Sequence, residues 1–245
     1  MLIVALLAAL LLLPTAGRAA LATAIAALAA FEWARLCKLS TALTWAYTAA
    51  VVVALGGTYH YAQLPAFALA AIFWICVAPA WMWRGVSASH TGLLAIAGFV
   101  VLVPASLAMA VLPGLQVVLV LTLVSLADAG AYFAGHAWGR NKLAPTISPG
   151  KTREGALGGL AVALVYAIIC GAFVEGIAWV PYLLSAALIA VLSIVGDLFE
   201  SALKRQAGAK DSGTLLPGHG GVLDRVDSAT ATLPLAALLI PWVTR

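Results

Sequence analysis

An all-α, polytopic integral membrane protein with about nine transmembrane helices is the fold class this sequence predicts, and three observations predict it. Hydrophobic residues occupy 64% of the 245 positions. Charged residues are only 9% of the chain, against roughly a quarter in a soluble domain. Apolar runs separated by short polar loops recur along the whole length, the pattern of a chain whose solvent is lipid. Soluble, secreted and disordered classes are excluded together. The net charge of +4 then matters through which loops hold the basic residues, so nucleic acid is not the expected partner. Cys37, Cys76 and Cys170 lie in or beside apolar runs without C-x-x-C spacing, which supports neither a disulfide framework nor a zinc site. They read as small lipid-phase side chains.

Crossing about 30 Å of hydrocarbon takes roughly 20 helical residues. The candidate spans run approximately 2–13, 19–31, 40–55, 65–83, 91–109, 115–138, 155–173, 181–199 and 228–243. The first lacks a basic flank and leads straight into further apolar sequence, so it reads as a membrane helix and not as a cleaved signal. The second is the weakest, because Arg18 and Glu32 bound it closely. Gly, Ala and Pro within the runs suit close helix packing in lipid, where small residues let backbones approach. Nine spans place the termini on opposite sides. With the N-terminus inside, eleven of the 13 basic residues fall in cytoplasmic segments and only Arg18 and Arg245 fall outside, as the positive-inside rule asks. The chain then divides into an N-terminal transmembrane scaffold, 1–114, and a C-terminal catalytic region, 115–245, with cytoplasmic loops at 139–154 and 201–225.

Eight of the nine acidic residues lie between Asp128 and Asp227; Glu32 is the exception. A carboxylate near the bilayer centre costs about 2.5–3.5 kcal/mol on insertion scales, so Asp128, inside an apolar run, is expected to face a polar cavity. Asp197, Glu200, Ser201 and Lys204 fall at i, i+3, i+4 and i+7, and share one stripe if their helix continues to Lys204. Asp224, Asp227 and Ser228 repeat that spacing at the start of the last helix. Two acidic stripes thus reach the same surface, where Mg²⁺ takes one or two carboxylates and completes its shell with substrate phosphates. The passage between them mixes Lys204, Arg205, Lys210 and Arg225 with Asp211 and several glycines. Such a loop suits phosphate, since glycines let backbone N–H groups close on phosphate oxygens while cations neutralise a phosphoryl centre. His219 is as well suited to ordering that loop as to touching phosphate. In the other polar passage, Gly150-Lys151-Thr152 is not a Walker A loop. Pro145 stands where that motif needs glycine, and an all-helical chain offers no preceding strand. What survives is a set of hydroxyls and cations, Ser148, Lys151, Thr152 and Arg153, just before a helix N-terminus, a natural anion site.

The residues from Ser201 to Asp227, S-x-L-K-R-x4-K-D-x-G-x2-L-P-x-H-G-G-x-L-D-R-x-D, resemble the signature of the phosphatidate cytidylyltransferase (CDP-diacylglycerol synthase) family without departure. D-x-x-A-Y-x-x-G from Asp128, S-P-G-K-T from Ser148 and G-D-L-x-E-S from Gly196 resemble further family motifs, so the likeness covers the C-terminal half. His136 departs from the Lys or Arg of many members. The resemblance implies an all-helical membrane enzyme that converts CTP and phosphatidic acid to CDP-diacylglycerol and pyrophosphate. It implies Mg²⁺ and a candidate role for K⁺, residence in the bacterial inner membrane with the active site facing the cytoplasm, and membrane lipids as surroundings; a homodimer is left open.

In that reaction a phosphate oxygen of phosphatidic acid attacks the α-phosphorus of CTP and pyrophosphate leaves, so catalysis is positioning and charge neutralisation. Asp197 and Asp224 are assigned to Mg²⁺, with Asp128 and Asp227 as further candidates around the metal. Lys204, Arg205, Lys210 and Arg225 are assigned to the triphosphate, and Ser148, Lys151 and Thr152 to the lipid phosphate or the nucleotide. Ser201, Asp211, His219, Gly220 and Gly221 complete the substrate-binding set. Two rivals are a CTP-dependent kinase of a polyprenol, which would transfer the terminal phosphoryl group, and a transporter of an anionic solute, which would convert no CTP.

Overall fold

The computed structural model describes residues 2–215 and 220–243. Among them, eight helical segments are long and apolar enough to cross a membrane. They are α2 (Thr15–Leu36), α3 (Thr41–Tyr61), the continuous segment Gln63–Arg84, α6 (Thr91–Val111), α7 (Gly114–Trp138), α8 (Arg153–Gly171), α9 (Trp179–Ala207) and α10 (Leu223–Val243). Gln63–Arg84 consists of α4 (Gln63–Ile72) and α5 (Ala78–Arg84), joined by a π-helical turn at Phe73–Val77. The chain is a multi-pass, all-α membrane protein.

The expected ninth span is the first apolar run. It forms α1 (Leu2–Leu12), and 11 residues reach only about 16 Å at 1.5 Å each, half of the hydrocarbon thickness. Pro14 ends it and stands as the N-cap of α2. The span that is weakest in sequence gains its length by taking in charged residues: α2 holds Arg18 in its first turns and Glu32 and Arg35 in its last ones. The guanidinium of Arg18 turns back to the Leu13 carbonyl at 3.2 Å. Eight alternating helices return the chain to the end of the bundle at which α2 starts, and there the Ala178 N–H donates to the Val243 carbonyl at 3.0 Å.

At the opposite end, α2, α7 and α9 finish and α8 and α10 begin. The Gln206 side-chain amide donates to the Leu36 carbonyl at 3.0 Å, closing α9 on α2. The 29 residues of α9 measure about 43 Å, more than the roughly 30 Å of hydrocarbon, so its last turns carry polar side chains past the apolar layer. Gly208, with φ +76°, stops it. The Gly208 and Ala209 N–H groups donate to the Arg205 and Lys204 carbonyls, a Schellman-type ending that needs a left-handed residue.

Helix α6 is the central one, the most buried of the eight. The α7–α8 seam is built on small residues: a Cβ on Gly155 or Gly159 would stand 2.7 or 2.6 Å from the Ala131 or Ala127 carbonyl oxygen. An aromatic cluster ties the two halves of the chain together. Phe199 of α9 lies 5.3–6.4 Å, centroid to centroid, from Trp33, Phe73, Trp74 and Trp81, contacts worth about 0.5–1.5 kcal/mol each beyond their buried area. Trp33 is further fixed by donating Nε1–H to the Leu94 carbonyl at 2.8 Å. Cys37 is buried and Cys76 is exposed; burial pushes the Cys37 thiol up to about 12.

Candidate active site

The passage before α8 departs from the all-helical expectation. Strands β1 (Lys142–Ala144) and β2 (Ser148–Thr152) form a two-stranded antiparallel hairpin with an irregular register, so the Ser-Pro-Gly-Lys-Thr run is itself extended. Thr152 is both the last strand residue and the N-cap of α8, its hydroxyl accepting from the Gly155 N–H at 3.1 Å. Glu154, in the first turn, accepts from the Arg140 and Asn141 N–H groups at 3.1 Å and from the Asn141 side-chain amide at 2.6 Å. Asn141 is thereby pinned, and its carbonyl accepts from the Arg153 N–H at 2.8 Å. Two local clamps thus decide how the hairpin meets the helix.

The hairpin roofs a cavity of about 570 Å³, within the range of small-molecule sites. Asp128, Tyr132 and His136 of α7 line it, with Ser148, Lys151 and Thr152 of the hairpin and Asp197 of α9. Lys151 Nζ and Asp197 Oδ2 are 2.5 Å apart across the cavity, and the Ser201 hydroxyl donates to Asp197 Oδ1 at 3.3 Å. Asp128 and Asp197 line the same cavity, and the Asp227 backbone packs against Gly196, the neighbour of Asp197. Lys151 and the Ser148 and Thr152 hydroxyls thus share with Asp128 and Asp197 a pocket whose lining is otherwise largely apolar.

A second cluster lies where α9 ends and α10 begins. Lys204 Nζ sits 2.8 Å from Glu200 Oε2 and 2.8 Å from Asp224 Oδ1. Asp224 Oδ2 accepts from the Ser212 and Gly221 N–H groups at 2.9 and 2.8 Å. Gly220, with φ +81°, makes the turn at which a Cβ would stand 2.8 Å from that same oxygen. The Ser212 hydroxyl in turn accepts from the Asp224 N–H at 3.3 Å and donates to Glu32 Oε2 at 2.9 Å.

The structure therefore separates the expected site residues into three sets. Ser148, Lys151, Thr152, Asp128 and Asp197 share the cavity, with Ser201 behind Asp197. Lys204, Asp224, Gly220 and Gly221 belong to the second cluster, where Lys204 faces two carboxylates. Arg205, Lys210, Asp211 and Arg225 are exposed on the surface nearby, and His219 lies outside the described residues. Helix α9 does continue past Lys204, and Lys204 and Arg205 do point to different sides. Glu32, which the sequence placed in the scaffold half, is joined to the second cluster through the Ser212 hydroxyl, a link that composition and spacing missed. A lone acid closing an apolar span was its only signal.

Among the described residues, no three His, Cys, Asp or Glu side chains gather tightly enough to hold a metal by themselves. That fits Mg²⁺, which takes one or two carboxylates and leaves the rest of its shell to water and phosphate. Asp197 opens on the cavity, with its Oδ2 paired to Lys151 and its Oδ1 accepting from Ser201, so it would reach a cation by releasing Lys151. Both oxygens of Asp224 are engaged, so it would reach a cation only by releasing Lys204 or the loop amides.

The cytidylyltransferase family matches residues 1–243 of this sequence. The chain belongs to that family. Phosphatidate cytidylyltransferase of Pseudomonas aeruginosa is 41% identical over 232 residues, covering 89% of this chain and 85% of that protein. The same-named proteins of Haemophilus influenzae and Bacillus subtilis are 50% identical over 125 residues and 47% identical over 114. Those two matches cover 47% and 46% of this chain and 42% of each relative. The family assignment thus spans both the scaffold helices and the two clusters described above.

Proposed function

We propose that this membrane cytidylyltransferase makes CDP-diacylglycerol and pyrophosphate from CTP and phosphatidic acid. The observation that carries the reading is the 570 Å³ cavity in which Ser148, Lys151 and Thr152 face Asp197 at the end of the bundle. The bond formed joins a phosphate oxygen of the lipid to the α-phosphorus of CTP. The bond broken is that from the α-phosphorus to the bridging oxygen of the leaving pyrophosphate. No covalent nucleophile is needed, so the protein's work is to hold two anions in line and neutralise them. Lys151 offers its ammonium and Ser148 its hydroxyl to phosphate, and Thr152 holds the start of α8, whose N-terminus favours anions. Asp197, with Asp128 and Asp227 beside it, would hold Mg²⁺, which when bound would neutralise phosphate charge as a Lewis acid. Lys204, kept in place by Glu200 and Asp224, and the exposed Lys210 and Arg225 supply positive charge for the triphosphate.

On this reading the reaction runs in the bacterial inner membrane with the site facing the cytoplasm, which the bacterial relatives and the bias of basic residues toward one side support. Cysteines introduced at Asn141 and Gly208, in a protein lacking Cys37, Cys76 and Cys170, are expected to react with impermeant thiol reagents from the cytoplasmic side alone; labelling of the two from opposite faces would break the single-site reading. The activity is tested with purified protein, phosphatidic acid, Mg²⁺ and CTP labelled in either the α- or the γ-phosphate. The expected result is a chloroform-soluble lipid carrying the α-label and free pyrophosphate carrying the γ-label. A γ-labelled lipid would make the protein a kinase, and no labelled lipid would sink the proposal.

A further inference from the structure

Glu32 lies in α2, far in sequence from every motif that carries the chemistry, yet its carboxylate is the point on which the loop before α10 closes. It is 2% exposed. Its Oε1 accepts from the Val222 N–H at 3.0 Å, and its Oε2 accepts from the Leu223 N–H at 2.8 Å and from the Ser212 hydroxyl at 2.9 Å. Those two amides belong to the start of α10, where unpaired N–H groups and the helix dipole both favour an anion. The cap that holds these two amides comes from another helix.

The fit around this carboxylate is close on every side. A Cβ on Gly213 would stand 2.5 Å from Glu32 Oε1, and one on Gly221 would stand 2.5 Å from Oε2. The loop therefore wraps the acid with two glycines, and larger residues there would have to displace it. From Glu32 the bonding runs through the Ser212 hydroxyl to the Asp224 N–H, and from the Ser212 N–H to Asp224 Oδ2. Asp224 Oδ1 then holds Lys204. A chain of hydrogen bonds thus leads from a scaffold helix to the Lys204 ammonium, which the function proposed above assigns to the triphosphate, and each member is buried or half-buried.

We propose that Glu32 is a positioning residue for cytidylyl transfer, which fixes Ser212 and the Val222 and Leu223 amides and, through Ser212 and Asp224, the place of Lys204. The proposal rests on the function given above. It separates Glu32 from an ordinary anchor by what its loss should do: a protein that merely contains fewer folded molecules turns over more slowly but binds CTP with an unchanged KM. Glu32→Gln keeps the side-chain volume and replaces one acceptor oxygen with a donor that faces another N–H. The expected result is a rise in KM for CTP of roughly tenfold, the size of one lost hydrogen bond to a charged group, with KM for phosphatidic acid within about twofold of the parent.

Ser212→Ala is the gentler variant, usable if Glu32→Gln does not yield folded protein, and it should raise KM for CTP in the same way. The double variant should be no worse than the stronger single one, since both changes break one path. Hydrogen–deuterium exchange over residues 211–223 gives a reading independent of turnover: protection of the Val222 and Leu223 amides should fall in Glu32→Gln while α6 and α7 stay protected. An unchanged KM for CTP in both single variants, or fully additive effects in the double one, would overturn the proposal. If the parent protein makes no CDP-lipid but the exchange difference appears, the tether stands and the assigned reaction falls instead.

Discussion

Two lysine–carboxylate arrangements a few turns apart on α9 use the same chemistry in opposite settings. Lys151 and Asp197 meet across an open cavity, with side chains 25% and 30% exposed. Lys204 meets Glu200 and Asp224 in a closed space, where the three side chains are 13%, 3% and 6% exposed. Water screens the first pair, so it contributes little to stability, and its members are free to exchange partners when phosphate or a cation arrives. The second group is sealed: one cation serves two carboxylates, Glu200 has no hydrogen bond beyond that ion pair, and losing Lys204 strands both acids. On the proposed function, the open pair would exchange partners with substrate, while the closed group would offer its lysine from a fixed place.

That contrast can be broken by experiment. The largest loss of turnover is expected for Asp197→Asn, more than a hundredfold in kcat at saturating Mg²⁺, with melting within a few degrees of the parent because the open pair carries little stability. A large drop in melting temperature with modest loss of rate would reverse the roles of the two clusters. Lys204→Ala should lower both properties, since it leaves Glu200 and Asp224 buried without their cation, a change that typically costs about 3–5 kcal/mol. A thermal melt and kcat/KM for CTP measured on one preparation check it. Lys151→Ala should lower kcat/KM by roughly ten- to a hundredfold, the worth of a charge-assisted phosphate contact, and leave the melt unchanged. Arg205→Ala should be the mildest, within about twofold in kcat/KM, because its side chain is exposed and about 100° around the helix from Lys204. A loss for Arg205→Ala exceeding that for Lys204→Ala would show that α9 presents a different face to the triphosphate.

The stripe from Asp197 to Lys204 was legible in the sequence because a helix repeats every 3.6 residues and the spacing alone decides which side chains share a face. The cavity wall formed by Ser148, Lys151 and Thr152 was legible as an anion site ahead of a helix. Its hairpin was not, because the extended form of those residues is decided by side chains on either side, the Thr152 cap and the Glu154 clamp on Asn141, and not by any alternation of their own. The count of about nine included α1, and among the described residues it is eight, because an 11-residue apolar run reads as hydropathic but is too short to cross the hydrocarbon. Glu32 was out of reach altogether. Its partners Ser212, Val222 and Leu223 stand 180, 190 and 191 residues away, and no local pattern encodes a contact of that range. The sharing of Asp224 between Lys204 and the loop amides was hidden likewise, since spacing shows which residues are near and not which bonds are already taken.

The Glu32 tether also bears on how the protein is made. Helix α2 is among the first segments to leave the ribosome, and Ser212, the nearest of its three partners in sequence, follows 180 residues later. At roughly 5–20 residues per second, Glu32 spends on the order of 10–40 s at a membrane boundary before the residues that satisfy it exist. During that interval water or lipid headgroups must solvate it, which favours leaving the end of α2 at the surface. The last loop to be synthesised then draws the acid inward, so burial of Glu32 is a late event in biogenesis and marks the moment at which the first and last membrane helices become one unit.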